Sequence, residues 1–461
     1  MARLFDLFRE SLRGEEQDYT SMGVRRAIVL LSIPMILEMG MEALFALVDT
    51  YFVSKLGVVG TATITLTETC MVPVYSIAWG LGMGITAVVA RRTGEKDRDG
   101  TRAAAGQALL VALAGGPVWA VPAGVLAGPP RRLRGAARAV LVVAAPYARL
   151  MFASNLVVTL LFALNAVFRG AGNPGIALRT LALANGINIV LDPLFIFGIG
   201  FFPELGVQGA AVATTIGRSC GVLYLCWNFF RKEGSLAVAL PDLRPVRGVI
   251  MGILKVSLGG VGQFLIASLS WVFLVRIVAD FGTEAVGGYG VAVRIIIVAL
   301  LPAWGMANAA ATLVGQNLGA GQPDRAQRSA WLCGHYNMVF MVLVTVLFWA
   351  AAPWIASFFD QGPEADGHTI LAMRVISLGY FFYGYGMVLS QALNGAGDSL
   401  TPTWLNVICF WAMEIPMAYL LAITFGLGPL GVFASVAICE SVLAILSAVV
   451  FQRGRWKQVK V

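Results

Sequence analysis

The chain has 461 residues, of which 58% are hydrophobic and only 13% charged, whereas soluble globular proteins carry about 25% charged residues. That deficit excludes a soluble protein of this size and any long disordered region. Six cysteines without a CxxC and only two histidines exclude a disulfide scaffold and a histidine metal site.

Residues 1–26 read as a polar N-terminal segment. Asp6, Glu10, Glu15, Glu16 and Asp18 rule out a signal peptide. Leu4, Phe5, Phe8 and Leu12 would line one face of a short helix on a membrane surface, or the segment is a tail. Apolar runs then predict twelve membrane-spanning helices, at 27–53, 61–90, 103–127, 138–165, 176–200 and 208–230, and at 248–279, 284–315, 329–352, 368–393, 402–426 and 432–452. A polar stretch at 231–247, containing Pro241 and Pro245, joins the two groups of six, and 453–461 forms a tail. All six cysteines fall in apolar stretches, as small buried hydrophobes.

An even number of spans puts both termini on one side. Loops and ends on that side hold 23 of the 33 Lys and Arg, the other side only Lys55, Arg131, Arg132, Arg134 and Arg138. The net charge of +8 therefore reads as the positive-inside rule, not as nucleic-acid binding, and it places both termini in the cytoplasm. The 131–138 cluster runs against the rule and is outvoted by the short flanking loops. The counted cytoplasmic charges include Arg169 and Arg179, read as a loop pair.

The chain also repeats itself. At an offset of 225, Ser32 meets Ser257, Gly57 meets Gly282, Trp79-Gly80 meets Trp304-Gly305, and Gly94 meets Gly319. Gly170-Ala171-Gly172 meets Gly395-Ala396-Gly397, and Leu205-Gly206-Val207 meets Leu430-Gly431-Val432. Two six-helix repeats of the same topology imply an all-α membrane protein of two bundles, 27–230 and 248–452, related by a pseudo-twofold axis along the membrane normal. Such a pair leaves a central cleft, and rocking of the bundles gives alternating access.

Ionisable groups at bilayer depth point to function. Glu38, Glu42 and Asp49 lie at i, i+4 and i+11 of the first helix, on one face, four and more residues beyond the kinking Pro34. Asn188 and Asp192 share a face of the fifth helix, and Glu68, Glu414 and Glu440 complete the interior acids. Desolvation favours the neutral form of a carboxylate in general, which suits proton coupling. The alternative is that these acids pair with Arg149, Arg218, Arg276, Arg294 or Arg374 and hold helices together. At the 225 offset Glu38 meets Gln263, Asp49 meets Leu274 and Asp192 meets Met417. Cation coupling is therefore expected in the N-terminal half, with apolar and aromatic wall supplied by the C-terminal half.

The chain resembles multidrug and toxic compound extrusion (MATE) transporters over nearly its whole length. The resemblance rests on Ser32-Ile33-Pro34, Val48-Asp49-Thr50-Tyr51-Phe52-Val53 and Arg169-Gly170-Ala171-Gly172-Asn173-Pro174. It continues in Asn188-Ile189-Val190-Leu191-Asp192-Pro193, Phe281-Gly282-Thr283-Glu284 and Asn394-Gly395-Ala396-Gly397-Asp398. It implies antiport of organic compounds against H⁺ or Na⁺, and the pattern is most similar to the DinF-type branch. There the coupling residues fall on Asp49, Asn188 and Asp192, with Tyr147, Thr214 or Thr215, and Asn165 beside them, and the kinking proline on Pro34. A Na⁺ ion would take oxygens from Asp49, Asn188, Asp192 and Thr214; no other cofactor is implied. No acid on helix 7 precedes Asp280 and helix 10 has none, unlike the NorM-type arrangement. Glu38 and Glu42 exceed the branch pattern: they bind cationic substrate, add a second proton, or stay structural.

Met35, Met39, Met41, Tyr383, Tyr385 and Met387 suit a cleft for bulky amphipathic or cationic compounds. Glu68 is a further candidate acid there. The reading is therefore a monomeric, multi-pass exporter of the plasma (inner) membrane, in contact with lipid. A flippase for an amphipathic lipid-linked molecule is the alternative, to be told apart by whether Arg or acid side chains line the cleft. The chain is not expected to be an enzyme: it lacks a phosphate-binding G-x-x-x-x-G-K-[ST] loop, H-E-x-x-H and a nucleophile elbow.

Overall fold

The computed structural model describes residues 2–13, 17–126, 138–232, 236–359 and 361–460. The 131–134 cluster lies outside the described residues. The chain opens with α1 (Ala2–Arg13), followed by α2 (Val24–Ser54), α3 (Gly57–Gly94), α4 (Arg98–Leu126), α5 (Arg138–Ala153), α6 (Asn155–Gly170), α7 (Pro174–Phe197) and α8 (Val207–Phe230). The second half is α9 (Arg247–Val278), α10 (Thr283–Gly319), α11 (Pro323–Ser357), α12 (Pro363–Ser377), α13 (Tyr380–Gly395), α14 (Leu400–Asn406), α15 (Ile415–Tyr419) and α16 (Pro429–Gln452). Among the described residues nine helical spans are long and apolar enough to cross a membrane, and the bent pairs α5–α6 and α12–α13 each make one more. With α4, 29 residues long, the twelve expected spans are present, as two six-helix bundles. Leu44, Leu223, Leu258 and Leu343 are exposed on the outside of the helices, where lipid replaces protein as the apolar partner.

The repeat is visible in the element boundaries. Gly57–Gly94 maps onto 282–319 and Asn155–Gly170 onto 380–395 at the same 225 offset. Both halves bend at the same place, by 41° between α5 and α6 and 61° between α12 and α13. The sequence predicts single helices over 138–165 and 368–393; the structure breaks both. At Gly379 the reason is close packing, since a Cβ there would stand 2.7 Å from the Ala437 carbonyl oxygen of α16. The eleventh span, expected as one helix over 402–426, contains two π-helical stretches, Val407–Glu414 and Leu420–Thr424.

α2 runs as one helix through Pro34. Just beyond the proline, α10 crosses so tightly that a Cβ on Gly305 would meet the Met35 carbonyl oxygen at 2.5 Å. Other close crossings between bundles are Gly80 on Val261 and Gly84 on Ser257. All of these lie in the half of each helix nearer the chain termini, so the bundles converge on that side.

The convergence ends in a pseudo-symmetric seam. A Cβ on Gly94 would lie 2.0 Å from the Gln316 carbonyl oxygen, and one on Gly319 would lie 2.1 Å from that of Arg91. Gln316 Nε2 donates to Gly170 O at 3.0 Å. Its repeat partner Arg91 donates to Ala396 O at 3.3 Å and to Val459 O at 2.8 Å. Each bundle thus reaches the Gly-Ala-Gly turn of the other. A branched side chain at Gly319 has no room against the Arg91 backbone and should hold this face open. The variant Gly319→Val is expected to speed labelling of a single cysteine at the buried Ala90 by a membrane-impermeant maleimide. Labelling as slow as in the Gly319 parent would show the seam tolerates the bulk.

The N-terminal segment is a helix tied across the same face, not a loose tail. Arg26 pairs with Glu10 at 2.7 Å, Arg179 donates to Leu12 O at 2.9 Å, and Lys96 pairs with Asp18 at 3.1 Å. Arg325, from the second bundle, donates to the carbonyls of Tyr19 and Met22. Burial works against the Asp18 charge, but hydrogen bonds from the Thr20 hydroxyl and amide and the Lys96 ammonium outweigh it and hold the carboxyl at about 2. Of the cysteines, Cys333, Cys409 and Cys439 are buried; Cys70 is exposed and Cys220 and Cys226 are half-buried, because a lipid-facing helix surface needs no protein cover.

Candidate functional site

The acidic face of α2 turns into its own bundle. Glu38 is almost fully buried and pairs with Arg169 at 2.9 Å. One turn on, Glu42 faces Arg218 of α8 at 4.0 Å. Two turns further, Asp49 lies within the fields of Arg218 and Asp192. The spacing that puts the three acids on one stripe therefore places them along two guanidiniums from α6 and α8. Arg169, read from sequence as a loop charge, belongs to the last turn of α6 and is buried. The helix continues past the last apolar run because Glu38 neutralises that charge inside the bundle.

The asparagine–aspartate pair of α7 comes together with α8 as the spacing requires. Asn188 Nδ2 donates to Asp192 Oδ1 at 3.1 Å and to Thr214 Oγ1 at 3.2 Å. Asp192 is fully buried and Asn188 and Thr214 nearly so. Gly217 lets α8 approach: a Cβ there would sit 2.5 Å from the Ala184 carbonyl oxygen. Three oxygens of this group have no hydrogen-bond donor: Asp49 Oδ1, Asn188 Oδ1 and Asp192 Oδ2. Tyr147 is buried close by, within the fields of Asp49 and Glu68. Buried acceptors without donors are rare and costly, and these three make the group a candidate to hold a cation. Thr215 turns away and donates to Ala211 O.

The remaining candidates separate. Asn165 and Met39 line a small cavity with Glu38, Glu42, Trp79 and Arg218, so they sit one layer nearer the termini than Asp49. Glu68 is exposed on α3 and feels Asp49 on one side and Arg294 of α10 on the other. Tyr383 lies in the second bundle and shares nothing with the Asp192 group; its hydroxyl lies against the Trp304 indole.

One group escaped the sequence reading. Trp79 of α3 and Trp304 of α10 meet edge to face with ring centroids 5.0 Å apart, flanked by Phe162 at 5.3 Å and Phe264 at 5.2 Å. Beneath them a cavity of about 30 Å³, room for one or two waters, is lined by Met83, Arg169, Asn308, Gln391 and Asn394. The repeated Trp-Gly marked the duplication, and a residue repeated on the axis-facing sides of two helices meets its own copy, as Trp79 and Trp304 do. The lining of this cavity contains Arg169 and no acid, while the neighbouring cavity balances Glu38 and Glu42 against Arg218.

Asn188→Leu removes the one donor that links Asp192 to Thr214. It is expected to weaken Na⁺ binding by about tenfold, because Asn188 Oδ1 is lost as a ligand, and to strengthen proton binding, because a donor to a carboxylate favours its charged form. A titration of the purified variant with NaCl and with acid measures this; affinity equal to wild type in both would show the link idle.

Known proteins resemble the chain over nearly its whole length. A sequence model of the MatE family matches residues 34–194 and 261–420, once in each bundle. The probable multidrug resistance protein NorM of Thermotoga maritima is 25% identical over 98% of this chain and 97% of its own. A MOP superfamily transporter of Pyrococcus furiosus, described by the reverse polarity of its binding pocket, superposes with a TM-score of 0.89 at 26% identity, covering 98% of this chain and 99% of that one. The outward-facing conformation of a multidrug resistance MATE family transporter superposes at 0.90, also at 26% identity and over 98% and 99% of the two chains.

Proposed function

Because the chain belongs to the MatE family of membrane transporters, we propose that it exports bulky amphipathic organic compounds by cation-coupled alternating access, with Asp49 and Asp192 as the coupling pair. The observation that carries the coupling is the trio of donorless oxygens on Asp49, Asn188 and Asp192, buried in one bundle. A proton needs one of them; Na⁺ would use several, with Thr214 Oγ1 beside them. We take H⁺ as the coupling ion. Tyr147 seals the pocket toward α5, and Pro34 gives α2 a point at which to bend when the ion leaves.

The seam of Gly94, Gly319, Arg91 and Gln316 closes the side that carries the termini. The Lys and Arg distribution supports placing that side in the cytoplasm, and the close superposition on an outward-facing transporter supports an outward-open state. The aromatic group of Trp79, Trp304, Phe162 and Phe264 would then floor the cleft and take flat apolar or cationic compounds on its ring faces. In this reading the chain works as a monomer in the inner membrane, without a cofactor other than the coupling ion.

The competing reading is a lipid flippase, which needs cationic side chains free along the cleft, whereas Arg169 is paired with Glu38 and its cavity has room for only one or two waters. Proteoliposomes separate the two. A pH gradient is expected to drive a fluorescent organic cation across the membrane, whereas a headgroup-labelled lipid should stay in its leaflet. The reverse pattern would replace export by flipping.

A further inference from the structure

The second bundle is not the plain apolar wall that the loss of repeat-equivalent acids suggests. Glu414 is 2% exposed and Glu440 7%. Glu414 closes the π-helical stretch Val407–Glu414, and Glu440 faces it from α16. Ser270 of α9 donates to Glu414 Oε2 at 2.5 Å. Glu440 Oε2 is buried without a partner, and so are the hydroxyls of Tyr289 and Tyr380, 1% and 0% exposed. Tyr289 is placed by rings stacked on both sides, Phe433 of α16 at 5.7 Å and Trp271 of α9 at 6.4 Å. Both hydroxyls lie in the field of Glu440, and Tyr289 also in that of Glu414. Tyr383, Cys409 and Cys439 are further titratable groups around the pair, and among the described residues no guanidinium, ammonium or imidazole is among the charges that act on either carboxylate.

Two carboxylates buried together with no fixed counter-charge balance only if one keeps a resident proton and the other takes a mobile cation. The unpartnered Glu440 Oε2, and the unpartnered hydroxyls of Tyr289 and Tyr380 in its field, mark the cation's surroundings. We propose that Glu414 and Glu440, with the hydroxyls of Tyr289 and Tyr380, form a second site for a monovalent cation, H⁺ or Na⁺, in the second bundle. The same pair of spans serves in both bundles: the residues 225 beyond Asn188 and Thr214 are Met413 and Cys439, each one position before a glutamate of the new site. π-helical turns, which change which residues face a neighbour, are concentrated at functional sites, and here one delivers Glu414. Tyr383 sits between the pair and Trp304, so occupancy would be felt at the floor of the cleft.

The inference does not need the export reading, because ion binding is measured on the full-length purified chain. NaCl is titrated calorimetrically in choline buffer at fixed pH, and proton uptake is followed in weakly buffered choline solution without Na⁺. The two arms distinguish Na⁺ from H⁺. In one of them E414Q/E440Q is expected to take up one cation fewer than wild type, while D49N/D192N keeps that cation. Equal uptake by E414Q/E440Q and wild type in both arms would overturn the site. Tyr289→Phe and Tyr380→Phe decide the matter if the double variant does not fold. Deleting an idle hydroxyl from a dry core leaves stability equal or higher and binding unchanged. Deleting a ligand weakens the cation's binding by about tenfold. Unchanged binding in both tyrosine variants would count against the site.

Discussion

Asp192→Asn is expected to reduce gradient-driven export by roughly a hundredfold, the loss of a charged group's full interaction with its ion, while leaving the fold intact. The substitution keeps the shape of the side chain and the hydrogen bond with Asn188. It removes the only formal charge on α7 at that depth. Asp49→Asn should do the same from the other side of the pocket, and the double variant should be no worse than either single one, since both act on one ion. Dye efflux from proteoliposomes under an imposed pH gradient measures this. Export that continues at the wild-type rate in both single variants would move the coupling elsewhere, with the glutamate pair of the second bundle as the first place to look.

Arg169→Met is expected to cost about 3–5 kcal/mol of stability, because it strands Glu38 as an uncompensated buried charge. Glu38 has already one oxygen without a partner, and its other oxygen depends on Arg169. The double variant Glu38→Gln/Arg169→Met should recover most of that loss, as replacing a whole buried pair by neutral groups is often nearly neutral. Thermal unfolding in detergent, compared across the four proteins of the cycle, gives the coupling. If Arg169→Met unfolds at the wild-type temperature, the pair is not holding α2 to α6. This pairing supports the structural reading of Glu38, one of the three roles open to it from sequence.

The twelve spans, the repeat and the Asn188–Asp192 pair were legible because each leaves a one-dimensional mark: apolar length, constant offset, helical spacing; Thr214 entered only through the family resemblance, with Thr215 as its alternative. The bend at Gly379 was not, because it depends on which backbone a small residue approaches. Arg169 was misplaced for a related reason. A charge at the edge of an apolar run looks like a loop until its partner, 131 residues away, is brought beside it. Glu414 and Glu440 were visible as interior acids but their pairing was not, since a strict 225 offset asks whether acids recur at the same positions and not whether the same spans carry them one residue later.

The seam on the terminal side has one more consequence. Its two arms are related by the repeat, yet one is a guanidinium that holds two carbonyls and the other a neutral amide that holds one. A clasp with unequal arms does not part evenly. The amide contact between Gln316 and Gly170 is the weaker and should let go first, while Arg91, gripping both Ala396 and the chain's own end at Val459, acts as the pivot. The duplication that made the two bundles alike thus left the opening motion with a preferred order, written in the exchange of a single residue type between positions 91 and 316.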